Sequence, residues 1–297
     1  MPANANASPH DHAHDQDRDP HHGLAHDLAT LVRQDKSRRS LLRWLVAGSV
    51  APLAVIGCGG GGDETGSTAT ATTTTGGSTG SCSVIPTETA GPYPGDGSNS
   101  NSSGVVNVLT LSGIVRSDIR TSIGSASGTA AGVPMTVTLK LVNTGSSCAN
   151  LAGYAIYLWH CDRSGGYSLY SSGVTGQNYL RGVQVTDSNG EVTFTTIFPA
   201  CYSGRWPHMH FEIYPSLAVA TNGSNDVKTS QLALPAAACN QVFGVVAGYE
   251  ASVSNFAAVS LATDGVFSDD SAAHQVATVT GDATNGFAAT LQVGIAA

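Results

Sequence analysis

His208-Met209-His210 sets two imidazoles at positions i and i+2. In a β-strand such residues share a face, so both rings can converge on one metal ion. The same stretch is rich in aromatic side chains. Seven of the nine tyrosines and two of the three tryptophans fall between Tyr154 and Tyr214, together with His160. Arg205 stands three residues before His208 and cannot be neutralised at any working pH. Such a guanidinium suits a role in steadying a charged substrate or a developing oxyanion. Its bland alternative is an ion pair with Asp162 or Glu212.

These side chains need strands to carry them, and the surrounding pattern supplies strands. Val133, Met135, Val137, Leu139 and Leu141 alternate on one face, as do Ala155, Tyr157, Trp159 and Cys161. Asp187-Ser188-Asn189-Gly190 is a turn leading to Val192, Phe194, Thr196 and Phe198 on one face. Val105–Val115 is rich in β formers, and His208–Tyr214 is a further strand. Val276–Thr280 and Phe287–Val293 form a terminal hairpin around Thr284-Asn285-Gly286. No 3.6-residue periodicity is sustained over three turns. Many short strands with Gly-rich turns imply an all-β fold, a single β-sandwich domain over 82–297.

Composition narrows the function classes. Of 297 residues 41% are hydrophobic and 11% charged, which disfavours a coiled coil, a polytopic membrane protein and charge-driven disorder. With 13 basic against 21 acidic residues the net charge is −8, and no basic stripe appears, so nucleic acid is not an expected partner.

The first 81 residues read as transport. Residues 1–57 form a leader, in which His10, His12, His14, His21, His22 and His26 belong to a polar extension. Ser37-Arg38-Arg39-Ser40-Leu41-Leu42-Arg43 is a twin-arginine pattern, and the apolar run Trp44–Ile56 has the length of a signal segment. Leu53-Ala54-Val55-Ile56-Gly57-Cys58 resembles a lipobox, with Cys58 as the lipidation site. Residues 58–81 are mostly Gly, Thr and Ser, as a flexible tether is. The expected location is therefore outside the cytoplasm, in the periplasm or at the cell surface. Membrane contact would come only through the anchor at Cys58. Five cysteines follow it: Cys82, Cys148, Cys161, Cys201 and Cys239. Export permits disulfides, and the odd number leaves at least one thiol free or paired between chains.

Two segments together resemble the intradiol ring-cleavage dioxygenases, such as catechol 1,2-dioxygenase and the iron-bearing chain of protocatechuate 3,4-dioxygenase. They are Trp159-His160-Cys161-Asp162-Arg163-Ser164-Gly165-Gly166-Tyr167 and Pro199-Ala200-Cys201-Tyr202-Ser203-Gly204-Arg205-Trp206-Pro207-His208-Met209-His210-Phe211. Trp159 and Tyr167 have the family's eight-residue spacing. Tyr202 follows a Thr196-Ile197-Phe198-Pro199 strand end, and Arg205, His208, His210 and Phe211 match an R-x-x-H-x-H-F run. Leu180-Arg181-Gly182 with Thr186-Asp187, Thr89-Ala90-Gly91-Pro92-Tyr93, and Ser230-Gln231-Leu232 add further matches. The resemblance runs from about Ile85 to Leu234. The loop from Tyr202 to His208 is shorter than in the cytoplasmic enzymes and resembles an exported branch. The helical dimerisation segment of the catechol enzymes is missing.

The resemblance implies one non-haem Fe(III) per chain, held by Tyr167, Tyr202, His208 and His210. Hard ferric iron suits anionic oxygen, and imidazole suits iron as well. The resemblance also implies a catechol-type aromatic diol and O2 as substrates, with cleavage to a cis,cis-muconate-type diacid. Tyr202 is expected to leave the metal and accept a substrate proton, Arg205 to stabilise charge, and Gln231 to hydrogen-bond a substrate oxygen. His160 is read as structural, His274 as solvated, Tyr170 and Tyr179 as packing or rim, and Trp159 and Trp206 as pocket wall or core. Two alternatives stay open: zinc or copper on the His208–His210 pair, and a surface-binding module with a decayed site. The ring substituents accepted, the disulfide pairing and the oligomeric state are left open.

Overall fold

The computed structural model describes residues 82–297. The leader, the twin-arginine pattern, Cys58 and the tether lie outside the described residues. Eleven strands are described: β1 (Asp96–Asn101), β2 (Gly104–Asn107), β3 (Pro134–Asn143), β4 (Ala149–Asn150), β5 (Ala155–Trp159), β6 (Arg181–Val185), β7 (Glu191–Ile197), β8 (His208–Tyr214), β9 (Lys228–Ala233), β10 (Thr278–Asp282) and β11 (Gly286–Ile295). Two short helices, α1 (Ala236–Val242) and α2 (Glu250–Ala257), follow β9. None of the described helices is long and apolar enough to cross a membrane.

The strands form two main sheets. One runs β10-β11-β3-β4, with β7 also paired to β3; the other runs β6-β5-β8-β9. Only the β11–β3 pairing within these sheets is parallel. Period-2 alternation drives the packing. Val137, Leu139, Leu141 and Phe194 of the first sheet meet Ile156, Leu158, Phe211 and Ile213 of the second in one continuous core. This is the sandwich that the alternation predicts. The terminal hairpin forms as β10–β11, and the Asp187 turn closes with Asp187 Oδ1 accepting from the Asn189 and Glu191 N–H groups.

One expected strand is mostly absent. Of Val105–Val115 only the start belongs to β2. Asn107 Oδ1 accepts from Leu109 N–H, and backbone turns follow at Leu111 and Ile114. The apolar residues there still serve packing: Val108, Leu109 and Ile114 are buried against Tyr157 and Trp159 on the outer face of the second sheet. β8 is therefore covered on both faces, and all seven of its residues are buried. Its inner face, Met209, Phe211 and Ile213, is apolar; its outer face carries His208, His210, Glu212 and Tyr214. Buried polar groups on that face must find partners beneath the loops.

Cys82 and Cys148 are joined by a disulfide, while Cys161, Cys201 and Cys239 are buried thiols. The odd count is thus resolved within one chain.

Candidate metal centre

Strand register places the site. Arg181 of β6 pairs with Trp159 of β5, Trp159 with His210 of β8, and His210 with Gln231 of β9. These four residues form one row across the sheet. His208 lies two residues away on the same strand face.

Two tyrosines arrive from loops. Asp162 Oδ1 accepts from the Ser164 and Gly166 N–H groups and from Ser164 Oγ. This turn delivers Tyr167, whose own N–H donates to Ser171 Oγ. The segment carrying Tyr202 is held by α2: Cys201 N–H donates to Ser252 Oγ, and Asn255 Nδ2 donates to the Cys201 carbonyl. Ordering both loops costs entropy, which these bonds and the packing beneath them offset.

The four polar tips meet. Tyr167 Oη lies 3.2 Å from His210 Nε2, His210 Nε2 lies 3.1 Å from His208 Nε2, and His208 Nε2 lies 3.2 Å from Tyr202 Oη. Adjacent ligands with bonds of about 2.0–2.2 Å to one first-row ion, set near right angles, have this spacing. His208 Nδ1 donates to the Trp206 carbonyl at 2.5 Å, which leaves its Nε2 lone pair facing the cluster. His210 Nδ1 makes no hydrogen bond of good geometry among the described residues, though the Thr89 backbone is close enough to favour a proton on the ring. Burial holds both imidazoles well below their ordinary pKa, with Arg205 adding to the effect on His208 and His208 to that on His210. Both are neutral near pH 7, as metal-ligating histidines must be. Among the described residues no group of three or more His, Cys, Asp and Glu could hold a metal. The convergence here is completed by tyrosines. Two phenol oxygens beside two neutral imidazoles suit a hard, highly charged ion better than a soft one.

Burial separates the two phenols. Tyr167 is 3% exposed, whereas Tyr202 is half-buried. The Thr89–Tyr93 loop covers the cluster. Gly91 adopts φ +70°, and a β-carbon there would sit 3.3 Å from His210 Cε1. Tyr93 packs on Tyr167 with ring centroids 5.1 Å apart.

Arg205 lies buried beside the pair. Its Nε donates to Asp264 Oδ2 at 3.0 Å and its Nη2 to Gln231 Oε1 at 2.6 Å. Its ion-pair partner is thus Asp264, and not Asp162 or Glu212. Asp162 is turned into its own loop. Glu212 accepts from Tyr214 Oη, and its carboxyl is pushed well above the usual range by burial and then by Asp96. Gln231 accepts from Arg205 and donates from Nε2 to the Thr89 carbonyl, so it links the guanidinium to the covering loop.

The remaining side chains take supporting places. His160 bonds the Cys161 carbonyl and Thr196 Oγ1 on the face opposite Trp159, and burial lowers its pKa to about 4. Tyr170 bonds Asn99, Tyr179 lies near Asp162, and His274 is exposed. Trp206 Nε1 donates to the Leu234 carbonyl.

Two residues gave no chemical signal in the sequence: Asp264, and Arg181, known there only as part of a motif. Arg181 is fully buried and spends its N–H groups on Tyr93 and Pro94 carbonyls, Tyr157 Oη, and the Ser168 carbonyl and Oγ. It ties the covering loop to the loop that carries Tyr167.

Residues 116–220 match the dioxygenase family model Dioxygenase_C. The intradiol ring-cleavage dioxygenase from Tetranychus urticae superposes with a TM-score of 0.54 at 24% identity, covering 72% of this chain and 95% of that one. A second dioxygenase crystal structure gives 0.55 at 24% identity, covering 72% and 94%. The dioxygenase domain of a carbohydrate-binding fusion from Streptomyces sp. SirexAA-E gives 0.43 at 22% identity, covering 72% and 98%. No curated protein sequence matches the chain. Residues 116–220 are thus similar to the dioxygenase family, and the sandwich has the fold of an intradiol ring-cleavage dioxygenase.

Proposed function

We propose that this chain is a non-haem ferric dioxygenase that cleaves a catechol-type ring between its two hydroxylated carbons. The observation that carries the reading is the contact chain Tyr167–His210–His208–Tyr202, with 3.1–3.2 Å between successive tips. Tyr167, Tyr202, His208 and His210 would hold the iron. When bound, ferric iron supplies a Lewis acid that takes the diol as an anion and activates its ring toward O2.

The chain's own residues supply the rest. Tyr167 is enclosed and has little room to move. Tyr202 is half-buried, so it is the phenol able to swing away, and its Oη is placed to accept a diol proton. Arg205 provides a fixed positive charge beside His208, in a buried setting where charge is weakly screened. Gln231 and Asp264 hold that guanidinium. The Thr89–Tyr93 loop keeps water from one side of the cluster, and Trp159 backs His210. Export through the twin-arginine pattern and anchoring at Cys58 belong to the same proposal, because a folded, metal-loaded protein suits that route.

The test is iron loading followed by a diol panel with oxygen uptake monitored. Catechol, hydroxyquinol, protocatechuate and larger diols are each presented. The expected result is a red to burgundy protein, from tyrosinate-to-ferric charge transfer, that consumes one O2 per diol. A colourless protein that takes zinc or copper and leaves every diol intact overturns the reading.

A further inference from the structure

Asp264 lies beyond the family-matched segment, in the stretch after α2. It is fully buried, and N–H donors converge on both of its oxygens. Oδ1 accepts from the Val266 and Phe267 backbone at 2.7 and 2.8 Å. Oδ2 accepts from Trp206 N–H at 2.6 Å and from Arg205 Nε at 3.0 Å. Three backbone donors fix the carboxylate plane, so the direction of the fourth bond, to Arg205, is fixed with it.

The guanidinium is gripped at a second point. Nη2 reaches Gln231 Oε1, and Gln231 sits opposite His210 in the β8–β9 register. The turn that orients Asp264 also delivers Phe267. Its ring centroid is 5.8 Å from Arg205 Cζ and 6.3 Å from that of His208. One short C-terminal segment therefore supplies the counter-ion of Arg205 and part of the wall behind His208.

We propose that Asp264 is the positioning residue for Arg205: with Gln231 it holds the guanidinium in one orientation beside the His208–His210 pair, and it acts on turnover only through Arg205. The role in turnover rests on the ferric dioxygenase reading; the positioning itself does not. A long flexible side chain sampling several rotamers would deliver its charge to the wrong place part of the time, and small misplacements near reacting groups are costly. In Asp264→Asn the amide NH2 must face two of the four N–H donors, because each oxygen of Asp264 accepts from two, and this breaks the grip.

Two measurements test this. In metal-free protein, the Arg205 Nε–H signal by 15N NMR should be protected from exchange in the wild type and lost in Asp264→Asn. In iron-loaded protein, Asp264→Asn should keep its iron and visible band while kcat falls at least about 10-fold with KM little changed. The double variant Arg205→Ala/Asp264→Asn should then be no slower than Arg205→Ala, within about 2-fold. A protected signal in Asp264→Asn, or losses that multiply in the double variant, overturn the proposal. Should Asp264→Asn fail to fold, Asp264→Glu, with a displaced carboxylate, takes its place; an unchanged Nε–H signal together with unchanged kcat overturns it there. If the wild type cleaves no diol, the ferric dioxygenase reading falls, and the metal-free Nε–H measurement alone decides whether Asp264 positions Arg205.

Discussion

Trp159 lies flat against His210, with ring centroids 5.0 Å apart and planes 8° from parallel. The two histidines are thus oriented by different means. A hydrogen bond from Nδ1 to the Trp206 carbonyl sets His208, whereas His210 lies between the Trp159 stack and the Thr89 backbone. Trp159→Leu removes that flat surface and lets the His210 ring rotate. Its affinity for iron should fall about 10-fold or more, as when an outer partner of a metal ligand is lost. Metal titration of the two proteins checks this, and equal affinities would remove the stack from the account.

Tyr167→Phe and His210→Ala each delete one member of the converging set. Each should lose its iron or most of the visible charge-transfer band. Elemental analysis and absorbance on the same samples decide the matter. Full iron and full colour in both variants would dismiss the ligand assignment.

Gly91→Ala adds a methyl group 3.3 Å from His210 Cε1 at a residue with φ +70°. Left-handed strain of about 1–2 kcal/mol is expected from the backbone alone. Gly173 provides a matched control: its φ is +80°, and nothing lies within 4 Å of an added β-carbon. Both alanine variants should melt at lower temperature, but only Gly91→Ala should also bind metal more weakly. Equal metal affinities in the two would show that the loop over His210 has slack.

Glu88 gives a prediction about pH. Burial, and then the nearby Asp269 carboxylate, raises its pKa from 4.5 to about 7. The folded state therefore holds this proton more tightly than the unfolded chain does. The resulting stabilisation is full below pH 4.5, declines as pH rises, and is gone above about 7. Glu88→Gln stays uncharged and can keep the bond from Gln275. Its stability should fall less than that of the wild type between pH 4.5 and 7. Urea unfolding at several pH values measures this, and parallel curves for the two proteins would contradict it.

The sequence made visible whatever depends on near neighbours. Alternation at His208–Tyr214 and at Ala155–Cys161 sorts side chains between the core and the site, because strand geometry repeats every two residues. It misled where β-forming side chains serve packing outside a strand, as at Val108, Leu109 and Ile114. It was silent where a polar run pairs: Asp96–Asn101 has the composition of a turn, yet it forms a hairpin with β2. Asp264 shows the limit most clearly. Its Oδ1 makes a local turn of the kind Asp commonly makes, while its Oδ2 reaches Arg205, 59 positions earlier. Nothing near either residue records that partnership. The Cys82–Cys148 pairing was hidden for the same reason.

That bridge has a mechanical consequence. Cys82 is fastened to Cys148 beside β4, and Val84 pairs with Gly294 of β11, so both grips lie on the sheet remote from the histidines. Only beyond them does the chain reach Thr89 and Gly91. A tug applied ahead of Cys82 is therefore absorbed by a covalent clamp before it can disturb the loop over His210, much as a cable gland shields a solder joint.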